Sequence, residues 1–311
     1  MNFTVAALYH FASFERYRAF QPVLEAQCEA LDLCGTLLLA SEGINGTIAG
    51  SRSSILDLIQ FLRDQPEFRD LEYKESTAEQ RPFRHMRVRL KKEIVTMGVP
   101  SINPARRTGQ YVDAEAWNEL IARDDVILID ARNDYEYRIG HFEKAIDPQT
   151  VSFGEFPQYV EEKLEANPDT PIAMYCTGGI RCEKASAYLL EKGYQNVSQL
   201  KGGILRYLET VPVEESLWKG ECFVFDGRVS VGHGLQEGDA RLCFGCKSPL
   251  TVEQRQHPAY EEGVSCEYCL DQLSEHRRDG LRERIKQLQL AQERGVEHMG
   301  KNAESRLRKK S

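Results

Sequence analysis

The segment Ile172–Leu190 constrains this chain more than any other. Ile172-Ala173-Met174-Tyr175 is apolar enough for a buried strand, Cys176-Thr177-Gly178-Gly179-Ile180-Arg181 follows, and Cys182 to Leu190 is helix-forming. A strand, a tight loop and a helix N-terminus together make an anion cradle, because loop N–H groups and the helix dipole converge on one point. A thiol there is expected to ionise easily, since those N–H groups and Arg181 favour the thiolate. Cys176 and Arg181 are therefore the catalytic candidates, and Thr177, Gly178, Gly179 and Ile180 form the anion-binding loop. Gly178 and Gly179 are both expected at positive φ, which turns successive N–H groups inward. Cys182 is read as a packing residue, as free cysteines usually are. The plainer alternative is that Cys176 is an inert strand-end cysteine followed by an ordinary turn.

The flanking pattern is that of a multi-domain α/β protein. Residues 1–100 read as strand (Phe3 to Tyr9), helix (Phe14 to Leu31), strand (Gly35 to Ala40) and a short returning strand (Thr47 to Ala49). A helix capped by Ser51 and running to Leu62, then extended stretches at Phe68 to Lys74 and Met86 to Thr96, complete the N-terminal part. That β-α-β-β-α-β order is ferredoxin-like. Residues 101–110 read as a linker, residues 111–216 as alternating strands and helices that imply a parallel sheet, and residues 217–275 as a cysteine-rich module. Residues 276–311 form a basic helical tail. Within the module, Phe223 to Val231 reads as a hairpin turning at Asp226-Gly227.

Charge marks two surfaces. The chain carries a formal charge of −8, so it does not read as a nucleic-acid binder throughout. Locally, however, Arg81, Arg84, Arg87, Arg89, Lys91 and Lys92 are crowded together, and Arg87, Arg89 and Lys91 share one face of a strand with Val88 and Leu90 on the other. That face is either a solvated edge or a nucleic-acid-binding surface. The tail, from Glu275 onward, holds eleven Lys/Arg against six Asp/Glu.

The nine cysteines are an odd number, and four of them form Cys243-Phe244-Gly245-Cys246 and Cys266-Glu267-Tyr268-Cys269. Two CxxC knuckles at this separation predict a four-thiolate structural zinc site at Cys243, Cys246, Cys266 and Cys269. A redox CxxC would need a βαβ context that is missing, while His233, between glycines, suits a further ligand and a loop histidine equally well. No signal peptide or membrane-length apolar run is evident, so a cytoplasmic protein without membrane attachment is expected.

The Cys-Thr-Gly-Gly-Ile-Arg loop resembles the active-site loop of rhodanese sulfurtransferases, and its four residues between cysteine and arginine suit a persulfide better than a phosphate. Asp130-Ala131-Arg132, Glu136 and Gly140-His141 resemble the second rhodanese signature. Asp130, Arg132 and Glu136 are read as loop support, an ion-pair network rather than chemistry. Together with Ser41-Glu42-Gly43-Ile44-Asn45-Gly46-Thr47 and Val229-Ser230-Val231-Gly232-His233-Gly234, nearly the whole chain resembles the bacterial rhodanese-containing tRNA uridine hydroxylases. That resemblance implies an oxidoreductase using molecular oxygen to convert the wobble uridine of tRNA to 5-hydroxyuridine, with a persulfide on Cys176. It also implies tRNA, through its anticodon region, and a sulfur-donor protein as partners. There is no glycine-rich dinucleotide motif for flavin or nicotinamide and no two-histidine, one-carboxylate iron set. A persulfide sulfurtransferase in a sulfur relay is the alternative activity, and a non-catalytic binding module is the other class.

Overall fold

The computed structural model describes residues 3–293, which divide at Gly238/Asp239 into two compact units. The first unit begins with β1 (Phe3–Phe11), α1 (Tyr17–Ala30), β2 (Cys34–Ala40), β3 (Gly43–Gly50), α2 (Arg52–Arg63), β4 (Glu72–Ala78) and β5 (Met86–Leu90). These strands make one sheet in the order β4-β1-β3-β2-β5, with β5 parallel to β2 and the other pairings antiparallel. The ferredoxin-like expectation therefore holds, with β5 as an added edge. α2 starts where Ser51 accepts a hydrogen bond from the Ser54 N–H, and it buries Ile55, Leu58, Ile59 and Leu62 on one helical stripe. α1 starts three residues later than its apolar pattern predicts. The cause is Phe14, whose N–H donates to the Ser41 carbonyl and whose ring packs on Phe20 and Phe68.

β3 is much longer than expected and absorbs the whole Gly43-Ile44-Asn45-Gly46 stretch. Glycine disfavours strands in general, but it also marks places where backbones approach closely. At Gly46 a Cβ would lie 2.0 Å from the Thr36 carbonyl of β2, so only glycine fits there. β5 is shorter than expected, ending at Leu90, which is 39% exposed rather than turned into the core with Val88.

The second layer comprises β6 (Gln110–Val112), α3 (Ala114–Ala122), β7 (Ile127–Asp130), α4 (Asp134–Tyr137) and β8 (Gly140–Phe142). It continues with α5 (Phe156–Glu162), β9 (Ile172–Tyr175), α6 (Ile180–Glu191), β10 (Val197–Leu200) and α7 (Gly203–Thr210). The parallel sheet runs β6-β10-β9-β7, which brings the carboxyl ends of β7 and β9 together: Asp130 pairs with Tyr175. Ser101 to Gln110 is not a bare tether, because Ile102 is buried and the Gly109 N–H donates to Ser186 of α6.

Residues 217–238, grouped by composition with the cysteines, pack instead in the first unit. β11 (Trp218–Gly220) pairs with β8, and β12 (Cys222–Phe223) pairs with β13 (Ser230–Val231) as the expected hairpin. Trp218, Cys222, Val224, Val231 and Leu235 share a core with Phe142, Tyr175 and Tyr207. Apolar burial, rather than proximity to the cysteines in sequence, decides where this segment belongs.

The second unit holds β14 (Arg241–Leu242), β15 (Pro249–Leu250) and α8 (Glu275–Glu293) around the four cysteines. Arg282 of α8 pairs with Glu261 at 2.7 Å and also with Glu275 and Asp279, and Arg278 pairs with Glu275. Those basic groups are therefore already neutralised by neighbouring acids. The terminal run Arg306-Leu307-Arg308-Lys309-Lys310 lies outside the described residues. No described helix is long and apolar enough to cross a membrane.

Candidate active site

β9 delivers Cys176 to the sheet's carboxyl end, and α6 begins four residues later. Gly179 is the N-cap of α6 with φ 106°, a conformation an L side chain rarely adopts. Its N–H donates to Cys176 Sγ at 3.1 Å. Gly178, expected at positive φ as well, is not; a Cβ there would meet open space. One inward N–H from the glycine pair is enough, because α7 holds the outer side of the loop. The Ile204 and Leu205 N–H groups donate to the carbonyls of Cys176 and Thr177, both at 3.0 Å.

Cys176 is fully buried. Burial by itself would push the thiol up, but hydrogen bonding by the Cys182 side chain, the Arg181 charge and the N–H groups of Cys182 and Gly179 outweigh it. The result is a thiol brought down to about 6, a thiolate at neutral pH. Cys182 is buried as expected, yet it does more than pack. Burial and the neighbouring thiolate hold its own thiol well above the ordinary range, so it remains a donor to Cys176.

Arg181 does not point its fork at the sulfur. It makes a bidentate pair with Glu136 of α4, at 2.6 and 2.7 Å, and donates to Thr177 Oγ1 at 3.2 Å. The thiolate feels its charge without a direct bond. Glu136 has no exposed surface, and burial would raise its carboxyl, but Arg181 wins and holds it below the usual range. Asp130 and Arg132 form a separate buried pair at 2.6 Å, and Arg132 also donates to the Gly140 carbonyl. The Arg132 guanidinium lies 5.1 Å from the Trp218 ring and 5.7 Å from Tyr175, which occupy its remaining face. The structure thus brings Glu136, Arg181, Thr177 and Cys176 together and places Asp130–Arg132 behind them, between β7 and β8.

In front of the loop lies a cavity of about 430 Å³, within the range of roughly 300–1,000 Å³ usual for small-molecule sites. One wall is the loop. The other is the face of the N-terminal sheet turned away from α1 and α2, including Tyr9, Thr36, Asn45, Thr47 and Lys74. Val224, Phe225 and Arg228 of the hairpin complete it. Arg228 pins that hairpin to the sheet, pairing with Asp226 at 2.6 Å and donating to Ser76 Oγ at 2.8 Å. Phe225 is 57% exposed, with its ring centre 5.9 Å from the Arg181 guanidinium. A larger groove of about 890 Å³, lined by Gln110, Pro171 and Asn196, lies at the other end of the parallel sheet and holds no thiol.

Several groups around the site were not singled out in the sequence. Lys74 Nζ donates to the Gly178 carbonyl at 2.8 Å. Tyr9 and Tyr111 both donate to Glu183 of α6, and burial together with the Glu183 charge keeps both phenols above their ordinary range. Lys184, 1% exposed, is clamped between Glu42 at 2.9 Å and Glu93 at 2.6 Å. Glu42 belongs to the Ser41–Thr47 stretch that stood out in the sequence without a role, and the clamp supplies one: it ties the N-terminal sheet to α6. Arg87 and Arg89 are exposed on the same sheet face as the cavity wall, on edge strand β5, and Lys91 is exposed just beyond it.

In the second unit the sulfurs of Cys243, Cys246, Cys266 and Cys269 lie within 4.8 Å of one another, with Cys243–Cys269 and Cys266–Cys269 at 3.8 Å and Cys246–Cys266 at 3.6 Å. A tetrahedron with metal–sulfur bonds of about 2.3 Å has edges of about 3.8 Å, so the cluster has the dimensions of a four-thiolate metal site. The group contains no histidine, and His233 lies outside it.

Comparison with known proteins gives two family models and a set of relatives. Residues 3–94 match the UPF0176 acylphosphatase-like domain, and residues 113–210 match the rhodanese-like domain. A tRNA uridine(34) hydroxylase of Agrobacterium fabrum is 55% identical over 300 residues, covering 96% of each chain. Proteins of the same name from Sinorhizobium medicae and Bartonella quintana are 55% identical over 299 and 296 residues.

Proposed function

The chain belongs to the tRNA uridine(34) hydroxylase family, and on that premise we propose that it hydroxylates uridine 34 of tRNA at C5, giving 5-hydroxyuridine. The observation that carries this reading is the Cys176 thiolate at the back of a cavity walled by the N-terminal sheet. Molecular oxygen is the co-substrate, one atom entering the C5–H bond and the other leaving as water with two electrons and two protons from an external two-electron reductant. The cytoplasm, where tRNA is found, is the place of action. Cys176 bears the reactive sulfur as a persulfide delivered by a donor protein. The Gly179 N–H and the Arg181 charge hold the sulfur in anionic form, while Glu136 and Thr177 hold Arg181. The Asp130–Arg132 pair keeps the β7 end fixed beneath the loop. The test is nucleoside mass spectrometry of tRNA from a strain lacking the protein. 5-Hydroxyuridine and its derivatives disappear if the reading is right; loss of a thio-nucleoside instead identifies a sulfurtransferase, and an unchanged profile a binding module.

Arg87, Arg89 and Lys91 supply the phosphate contacts. Each neutralised phosphate contributes roughly 0.7 to 0.9 to the slope of log affinity against log salt. Replacing all three by Ala lowers that slope for tRNA by about two to three, with little change in stability because the side chains are exposed. Unchanged affinity and slope would make this edge a solvated face.

The cysteine cluster holds one structural zinc. All four ligands are thiolates and none leaves an open position, so the metal contributes folding free energy rather than chemistry. Metal analysis finds one zinc per chain, and Cys246→Ser leaves the C-terminal unit open to proteolysis. Zinc-free protein with four freely titrating thiols would contradict this.

A further inference from the structure

The sheet face that walls the cavity has a definite order. Lys74 lies opposite Ala7, Ala7 opposite Thr47, Thr47 opposite Thr36, and Thr36 opposite Arg87. Side chains of directly paired residues project to the same side of a sheet, so one row runs from the cysteine loop at Lys74 to the exposed edge at Arg87. Only the two ends of the row are cationic. Arg87 meets solvent, whereas Lys74 is half-buried in the cavity, its Nζ on the Gly178 carbonyl and 5.4 Å from the Tyr9 ring centre.

Lys74 forms no ion pair among the described residues; the Cys176 thiolate acts on it most through space, followed by Glu72 and Glu183. An ammonium group has three N–H donors and no acceptor. The Gly178 carbonyl takes one of them, and Lys74 lines the cavity. The thiolate and the Tyr9 ring stabilise its charge, but neither is a hydrogen-bonded oxygen, and a carbonyl acceptor entering the cavity would take an N–H that is otherwise unpaired.

We propose that Lys74 determines the base specificity of this site, by donating to the 4-carbonyl oxygen of uracil. The proposal rests on the reading that uridine 34 enters the cavity. Uracil and cytosine share the 2-carbonyl and differ at C4, where uracil has an acceptor and cytosine an amino donor. A donor-only group at that edge pairs with uracil and faces cytosine with donor against donor. Leaving such groups buried and unpaired weakens binding by roughly ten- to a hundredfold. A lysine from the N-terminal sheet, set beside the sulfur of the rhodanese-like loop, also explains why the cavity needs both domains.

The experiment compares two versions of one tRNA, with uridine or cytidine at position 34, for binding to wild-type protein, Lys74→Arg and Lys74→Gln. Wild type and Lys74→Arg, both donor-only, prefer the uridine version. Lys74→Gln, whose amide offers donor and acceptor, loses most of that preference, by about tenfold or more, and the pH midpoint for alkylation of Cys176 rises from about 6 as the Lys74 charge is lost. An undiminished preference in Lys74→Gln overturns the proposal. So does a shifted alkylation midpoint with unchanged preference, which would make Lys74 a counter-ion of the thiolate. Failure of the parent reading shows separately, as a wild-type gene that does not restore 5-hydroxyuridine to a strain lacking it.

Discussion

Arg181→Ala destabilises the first compact unit by about 3–5 kcal/mol and moves the alkylation midpoint of Cys176 upward from about 6. The first effect comes from Glu136, which has no exposed surface and would lose two short bonds from one partner. Removing one member of a buried pair leaves the other charge uncompensated, which costs more than the pair itself contributes. The second effect comes from the thiolate, which loses a nearby positive charge. The sign of the pH dependence follows. The folded-state thiol lies below its unfolded value, so the stability it contributes is present above the ordinary thiol range and is lost as pH falls through about 6. In the variant that contribution is smaller and its loss is complete at a higher pH. Arg181→Lys keeps the charge but cannot make the planar two-bond fork, so it gives an intermediate result. Denaturant titration and the pH profile of iodoacetamide labelling measure both effects. Wild-type stability together with an unmoved midpoint would show that the Glu136–Arg181 pair is incidental to the loop.

Cys176→Ser abolishes the modification while the protein stays folded and still binds tRNA. The loop geometry is set by Gly179, by the carbonyl bonds from α7 and by the Glu136–Arg181–Thr177 cluster, none of which needs sulfur. What disappears is the thiolate, because a serine hydroxyl does not ionise near neutral pH and cannot carry a persulfide. Burial still holds the Cys182 thiol up, so it does not take over the role of Cys176. Melting temperature and tRNA affinity should remain close to wild type. A parallel fall in affinity would assign Cys176 to substrate binding instead.

The elements that carry local periodicity were legible in the sequence. α2 announces itself through Ser51 and the stripe Ile55, Leu58, Ile59, Leu62, and the strand–loop–helix at Cys176 is encoded in consecutive residues. β3 was only half-read, because glycine argues against strand locally while Gly46 is required by the close approach of β2. Composition changes at Leu217, whereas the compact units divide at Gly238, because Trp218 and Val224 are buried in the rhodanese-like core. Within the site, Cys176 and Arg181 stood out because they are near in sequence. Tyr9 and Glu183 are 174 residues apart, Lys74 and Gly178 are 104 apart, and Lys184 and Glu93 are 91 apart. No spacing rule connects such pairs, and only packing of the N-terminal sheet over the loop brings them together. The Ser41–Thr47 stretch was the one available signal, an unusual glycine-rich segment whose Glu42 reaches Lys184.

The most direct measurement is the 5-hydroxyuridine content at position 34 of tRNA from a strain lacking this protein, complemented with the wild-type gene or with Cys176→Ser at equal soluble levels. The wild-type gene restores the nucleoside and Cys176→Ser leaves it absent. Equal restoration by both would contradict the assignment of the Cys176 loop as the site of the chemistry.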